Sequence, residues 1–219
     1  MSLGFLTLSP DGPRARSPLA ERSFAGATLE ERDGWDVVVS YGDPDGESRA
    51  CRESVGWADV SQLAKFELSG PSAALGALTP GTAERRGEGW ICPLTPQRGL
   101  LLGDTGTAPD GSLIDLTSSL AAISVTGPGA RETIARFCAL DTRAAVLPMA
   151  GFRPGSIART AGYLLREDED SILLLFGAAY GAYLWDVVAD AGGRLGGRPV
   201  GLASIALPAA GREGVAADA

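Results

Sequence analysis

Apolar and polar positions alternate in short runs along the chain, and the runs predict a mixed α+β protein. Residues 35–41 (WDVVVSY) are β-branched and aromatic, so they predict a strand, and the Gly-Asp-Pro-Asp-Gly that follows is turn chemistry. Residues 163–166 (YLLR) and 172–176 (ILLLF) predict a hairpin joined by four acids at 167–170. A run of like charge at a hairpin tip is expected in solvent. After Pro128, the residues Ala130, Ile134, Phe137 and Cys138 keep the i, i+4, i+7, i+8 spacing of a helix face. Tyr180, Leu184, Val187, Val188 and Ala191 predict the buried face of a second helix. Tyr183 and Trp185 fall partly off that face and are expected to form a partner surface.

Two segments echo each other. Residues 66–75 (FELSGPSAAL) and 123–132 (ISVTGPGARE) align Gly70 with Gly127 at an offset of 57 residues. In each, a strand runs through [Ser/Thr]-Gly-Pro into a helix. The hydroxyl is placed to cap the helix, Gly permits a tight turn, and Pro suits a first helical position. An anion could be held at either helix start, but Pro removes one donor, so a structural corner is the better reading. Around the second corner the order is strand, helix, strand, strand, helix, strand, the last at 200–207. That is a split βαβ, ferredoxin-like pattern. The expected organisation is an irregular arm at 1–24, α+β halves at 25–108 and 109–207, and a disordered tail at 208–219. The polar break at 104–110 (DTGTAPD) separates the halves.

Composition narrows the chemistry. The 219 residues carry a formal charge of −8, which argues against binding a nucleic-acid backbone. One lysine, Lys65, stands against eighteen arginines. There is no histidine, so no Ser-His-Asp or Cys-His site can form within the chain. Cys51, Cys92 and Cys138 have no CxxC spacing and read as small buried hydrophobes. No nucleotide-binding fingerprint occurs, and the Gly-rich residues 192–198 follow a helix, as a helix stop would. Asp59 or Asp115 could serve as a buried general base, yet both sit where an acid would simply end a turn, and Asp110 lies beside the break. No catalytic, cofactor-binding or metal position is therefore expected. Without a leader or a long apolar run, a cytoplasmic protein with no membrane contact is the expectation.

Residues 54–73 (SVGWADVSQLAKFELSGPSA) resemble the start of the folate-binding aminomethyltransferases, which include the glycine-cleavage T protein. Residues 114–130 (IDLTSSLAAISVTGPGA) resemble that family's later repeat of the motif. The T protein's acidic catalytic motif has no counterpart between the two blocks. The related iron–sulfur repair proteins' KGCYxGQE signature and the T protein's C-terminal barrel have none either.

A shorter family resembles the chain more fully: the gamma subunit of heterotetrameric sarcosine oxidase. Its motifs are similar to residues 126–141 (TGPGARETIARFCALD), 152–160 (FRPGSIART), 182–186 (AYLWD) and 16–19 (RSPL). Where that family has a His after its Cys-x-Leu-Asp, this chain has Thr142 and Arg143. The resemblance implies two ferredoxin-like halves as in the aminomethyltransferase folate-binding domain, without the barrel. It also implies a non-catalytic subunit that packs on a larger alpha-type flavoprotein subunit. FAD, FMN, NAD, tetrahydrofolate and zinc would sit in the other subunits of an enzyme that demethylates sarcosine or a related secondary amine. A stand-alone folate-binding aminomethyltransferase-like protein is the alternative.

Overall fold

The computed structural model describes residues 14–105 and 110–205. The first thirteen residues of the expected arm, the centre of the 104–110 break, the end of the 200–207 strand and the whole 208–219 tail lie outside the described residues. The chain opens with β1 (Ala15–Arg16), the single turn α1 (Ala20–Ser23), β2 (Thr28–Arg32) and β3 (Trp35–Ser40). Next come α2 (Pro44–Glu53) and β4 (Gly56–Asp59). A second run holds β5 (Lys65–Ser69), α3 (Ala73–Gly76), β6 (Glu84–Arg86), β7 (Gly89–Thr95), β8 (Arg98–Leu102) and β9 (Ser112–Asp115). A third holds β10 (Leu120–Thr126), α4 (Ala130–Ala135), β11 (Phe152–Ile157) and β12 (Thr160–Asp168). It closes with β13 (Ser171–Gly177), α5 (Gly181–Gly193) and β14 (Arg198–Pro199).

The repeat read from the two Gly-Pro corners is a repeat of topology. One sheet runs β6-β7-β8-β5-β9 and the other β11-β12-β13-β10-β4-β14. Strands β6, β7, β8 and β5 hold the places of β11, β12, β13 and β10, and β9 beside β5 holds the place that β4 takes beside β10. At the corners, Gly70 has φ +106° and Gly127 φ +121°, a backbone region that L side chains rarely adopt. The hydroxyls at the corners do not cap the helices: α3 and α4 have Ser72 and Gly129 as N-caps, neither with a side-chain bond. Ser69 instead donates to Glu67 at 3.3 Å, and Thr126 pairs with Ser171 at 3.4 Å.

The halves interlock rather than separate at residue 108. Strand β4 lies between β10 and β14, inside the second half's sheet, while β9 joins the first half's sheet. Every residue of β4 is buried, so it needs a strand on each edge and a layer on each face. The strand expected at 200–207 does not form over its described residues 200–205; the last strand is β14, just before them. Beyond Pro199 the chain leaves the sheet, because the Gly201 N–H is taken by the Glu47 carboxylate at 2.8 Å and the Leu202 N–H by the Val38 carbonyl at 3.0 Å. The described part of the arm is ordered as well. Strand β1 pairs in parallel with β3, and Leu19 is fully buried, with its N–H held by Ser17 Oγ at 3.0 Å.

Alternation along the strands decides the layers. Ile123, Val125, Ile172, Leu174 and Phe176 face the helices, packing with Ile134, Leu184, Trp185 and Val188. The intervening Ala122, Leu173 and Leu175 face the other sheet, meeting Trp90, Cys92, Leu100 and Leu102. The unbroken apolar run of β13 therefore serves two cores at once. Among the described residues, no helix is long and apolar enough to cross a membrane.

Candidate functional site

The layer between the two sheets does not close completely. A cavity of ≈ 300 Å³ opens there, with Val60, Leu63, Leu102 and Leu173 on its apolar wall and Glu167 and Trp90 beside them. Trp90 comes from β7 and Glu167 from β12, so the two sheets each supply one. The Trp90 indole N–H donates to Glu167 Oε1 at 3.2 Å. The Arg85 guanidinium carbon lies 5.4 Å from the centre of the Trp90 ring, a cation–π distance. Burial pushes the Glu167 carboxyl up to about 7, with Trp90 and Arg85 pulling it down and Asp168 pushing it up. Ser124, Thr126, Asp170 and Ser171 form the polar side of the cavity. Such a site can hold a small ring that offers N–H donors to a carboxylate, and Glu167 titrates where a proton can be exchanged near neutrality.

The acids at 167–170 were expected in solvent, and Glu167 departs from that. Strand β12 continues through Asp168, so Tyr163, Leu165 and Glu167 share one face. Tyr163 and Leu165 already point into the inter-sheet core, and the same face carries Glu167 inward. The i, i+2, i+4 spacing from Tyr163 was the signal available in the sequence. Asp168, Glu169 and Asp170 are exposed, as expected of a tip.

The other acids hold the fold. Asp59 is buried, and it accepts from Ser23 Oγ at 2.8 Å and from the Ser61 N–H at 3.0 Å. Asp115 is exposed and accepts from the Thr117 N–H at 2.7 Å; the Thr117 bonds hold its carboxyl below the usual range. Asp110 is exposed beside the break. None of these three lines the cavity. Lys65 is wholly buried and donates to the Ser61 carbonyl at 2.8 Å and the Leu63 carbonyl at 2.6 Å. Burial lowers its pKa to about 8 against the pull of Asp59 and Asp115.

The expected partner surface divides. Tyr183 is 48% exposed, but Trp185 is only 6% exposed and belongs to the helix-side core. Tyr180, placed on the core face by spacing, is 49% exposed in the turn before α5. The buried face of α5 runs through Gly181, Leu184, Trp185, Val188 and Ala191. At Gly181 an added Cβ would lie 2.5 Å from the Pro18 carbonyl oxygen. The arm thus packs on the helix start, and Trp185 falls on the i, i+3, i+4, i+7 stripe that begins at Gly181. Cys92 is buried, and Cys51 and Cys138 are half-buried free thiols.

No family model matches the chain. In sequence it is similar to the aminomethyltransferase of Herpetosiphon aurantiacus, 26% identical over 85% of this chain and 60% of that protein. It is also similar to the probable aminomethyltransferase of Natronomonas pharaonis, 36% identical over 40% of this chain and 26% of that one. The chain thus spans 60% or less of the length of these relatives. In structure it is similar to the glycine cleavage system aminomethyltransferase T of Bartonella henselae, with TM-score 0.69 and 17% identity. That match covers 87% of this chain and 60% of the other. It is similar, too, to a chain of the heterotetrameric sarcosine oxidase of Corynebacterium sp. U-96, solved with pyrrole 2-carboxylate, with TM-score 0.62 and 19% identity. There the match covers 85% of this chain and 98% of the other. The chain is similar in sequence to aminomethyltransferases and carries a mixed α+β fold similar to that of their folate-binding domain, a fold also present in a chain of heterotetrameric sarcosine oxidase.

Proposed function

We propose that this chain is a non-catalytic, gamma-type subunit of a flavoenzyme complex like heterotetrameric sarcosine oxidase, packed against a larger alpha-type flavoprotein chain. Coverage carries the reading: the structural match takes in 98% of one chain of a heterotetrameric sarcosine oxidase but 60% of a T protein. The absence of histidine from the sequence supports it, since proton transfer and metal binding would then fall to partner chains. In this reading the flavins, NAD, tetrahydrofolate and zinc are held by those chains. The reaction they serve is oxidative demethylation of sarcosine or a related secondary amine.

One observation favours a second reading, a stand-alone folate-binding protein. The inter-sheet cavity, with the Glu167 carboxylate and Trp90 N–H side by side, has the donor and acceptor chemistry for a nitrogen heterocycle. Its ≈ 300 Å³ suits the ring of such a ligand rather than the whole of a folate. Co-expression with flavin-dependent amine oxidase chains of the source organism, followed by gel filtration, tests the first reading. A stoichiometric complex is expected. A chain that stays alone and binds tetrahydrofolate with micromolar affinity would establish the second reading instead.

A further inference from the structure

The turn between β11 and β12 is built from residues that turn geometry disfavours. Its two central residues are Ala158 at φ +45° and Arg159 at φ +65°. Two-residue hairpin turns of this left-handed kind normally carry Asn-Gly, because other side chains are strained there. The surroundings hold the strain in place. Tyr183 Oη donates to the Ala158 carbonyl at 3.2 Å, and the Ala158 N–H donates to the Phe137 carbonyl at 3.0 Å. Backbone strain fixed in this way marks a position where something other than stability sets the residue.

The side chain held there is a guanidinium without an ion pair or hydrogen bond among the described residues. Exposed arginines on the neighbouring helices are matched within the chain: Arg22 with Asp186, Arg136 with Glu132 and Arg194 with Asp190. Arg159 lies on the rim of a shallow groove of ≈ 720 Å³ that Tyr180 also lines. Gly155, Gly162 and Gly177 are among its lining residues, and Arg159 is the only charged one among those described. Tyr180 and Tyr183 are each about half exposed. Arginine and tyrosine are the residue types that most often anchor protein interfaces.

We propose that this face docks an acidic segment of the larger protein partner, with Arg159 pairing to a carboxylate and the ring of Tyr180 covering the apolar residues beside it. The proposal rests on the subunit reading and adds the surface and the charge of the segment it receives. The lone positive charge in an otherwise uncharged groove selects the carboxylate, and the rigid turn fixes the backbone from which the guanidinium reaches it.

The test uses the full chain and the flavoprotein chain that co-purifies with it. Arg159→Ala is expected to weaken the complex at least tenfold, and added salt should weaken the wild-type complex more than the variant's. Arg159→Gly should also weaken it at least tenfold while raising the thermal midpoint of the isolated chain, because glycine releases the left-handed strain. If the wild-type complex forms and both variants bind unchanged, the docking face is overturned and the subunit reading stands. If no complex forms, the subunit reading falls and takes the proposal with it. If only Arg159→Ala weakens binding, the guanidinium is not the anchor and the proposal fails. Should the chain instead pair with itself through Arg159, the occupant is a second copy, which also overturns it.

Discussion

Trp90 and Glu167, seventy-seven residues apart in sequence, meet across the two sheets with the indole N–H 3.2 Å from the carboxylate oxygen. The bond lies where the inter-sheet core is left open, so a charged group is half-buried at the join of the two halves. That position gives Glu167 its pH dependence. Its folded pKa, raised to about 7, stands above the ordinary carboxylate value. The native state therefore holds the proton more tightly between those values, and this group's contribution to stability is full in acid and lost as pH rises through 7. Glu167→Gln keeps the shape and the acceptor but removes the charge. Urea unfolding is expected to show the variant equal to wild type near pH 4 and more stable by about 2 kcal/mol at pH 8.

The two Gly-Pro corners share a backbone but not a neighbourhood. A Cβ on Gly70 would meet open space, whereas one on Gly127 would lie 2.7 Å from the Ser54 carbonyl oxygen. Gly70→Ala is expected to destabilise by about 1 kcal/mol, the cost of the left-handed backbone alone. Gly127→Ala should exceed it by about 2 kcal/mol, since a backbone oxygen must also move. Denaturant midpoints of the two variants check the order.

Trp185 and Tyr183 sit two residues apart on α5 with opposite roles. Trp185→Ala should cost about 3–5 kcal/mol, because it empties a buried site in the helix-side core. Tyr183→Phe loses one hydrogen bond at a half-exposed position and should cost about 1 kcal/mol or less. Thermal unfolding separates them, and equal effects would contradict the burial of Trp185.

Glu47 is fully buried and binds three parts of the fold. It accepts from Ser40 Oγ at 2.8 Å, from the Tyr41 N–H at 2.7 Å and from the Gly201 N–H at 2.8 Å. Burial works to raise its carboxyl, and these bonds outweigh burial and lower it. A lowered carboxyl contributes stability that is present above the ordinary carboxylate value and lost as pH falls through the folded value. Glu47→Ala should cost about 3 kcal/mol at pH 7 and less in strong acid. The check is the pH dependence of the unfolding midpoint.

Much of the fold was legible because local pattern and topology agree. The corners at Gly70 and Gly127, the hairpin of β12 and β13, and the helices after Pro128 and around Leu184 were all in the alternation and spacing. Strand β4 escaped because its partners β10 and β14 are more than sixty residues further along the chain, and nothing in GWAD names them. The 200–207 strand failed because Glu47, a distant residue, takes the Gly201 N–H. Trp185 was misplaced because two apolar stripes fit helical spacing, and the one read from Tyr180 starts on a residue that lies in the turn before α5. Glu167 was hidden by composition: four acids in a row look solvated, and only the face shared with Tyr163 and Leu165 carries the first of them inward. Long-range contacts decided the misses at β4 and at 200–207, and competing local patterns those at Trp185 and Glu167.

The most direct measurement is native mass spectrometry of the chain co-expressed with flavin-dependent amine oxidase chains of its source organism. The subunit account predicts one copy of this chain in a complex whose flavin is bound by the other chains, with the isolated chain colourless. A chain that remains outside any such complex, or that carries tetrahydrofolate on its own, would contradict it.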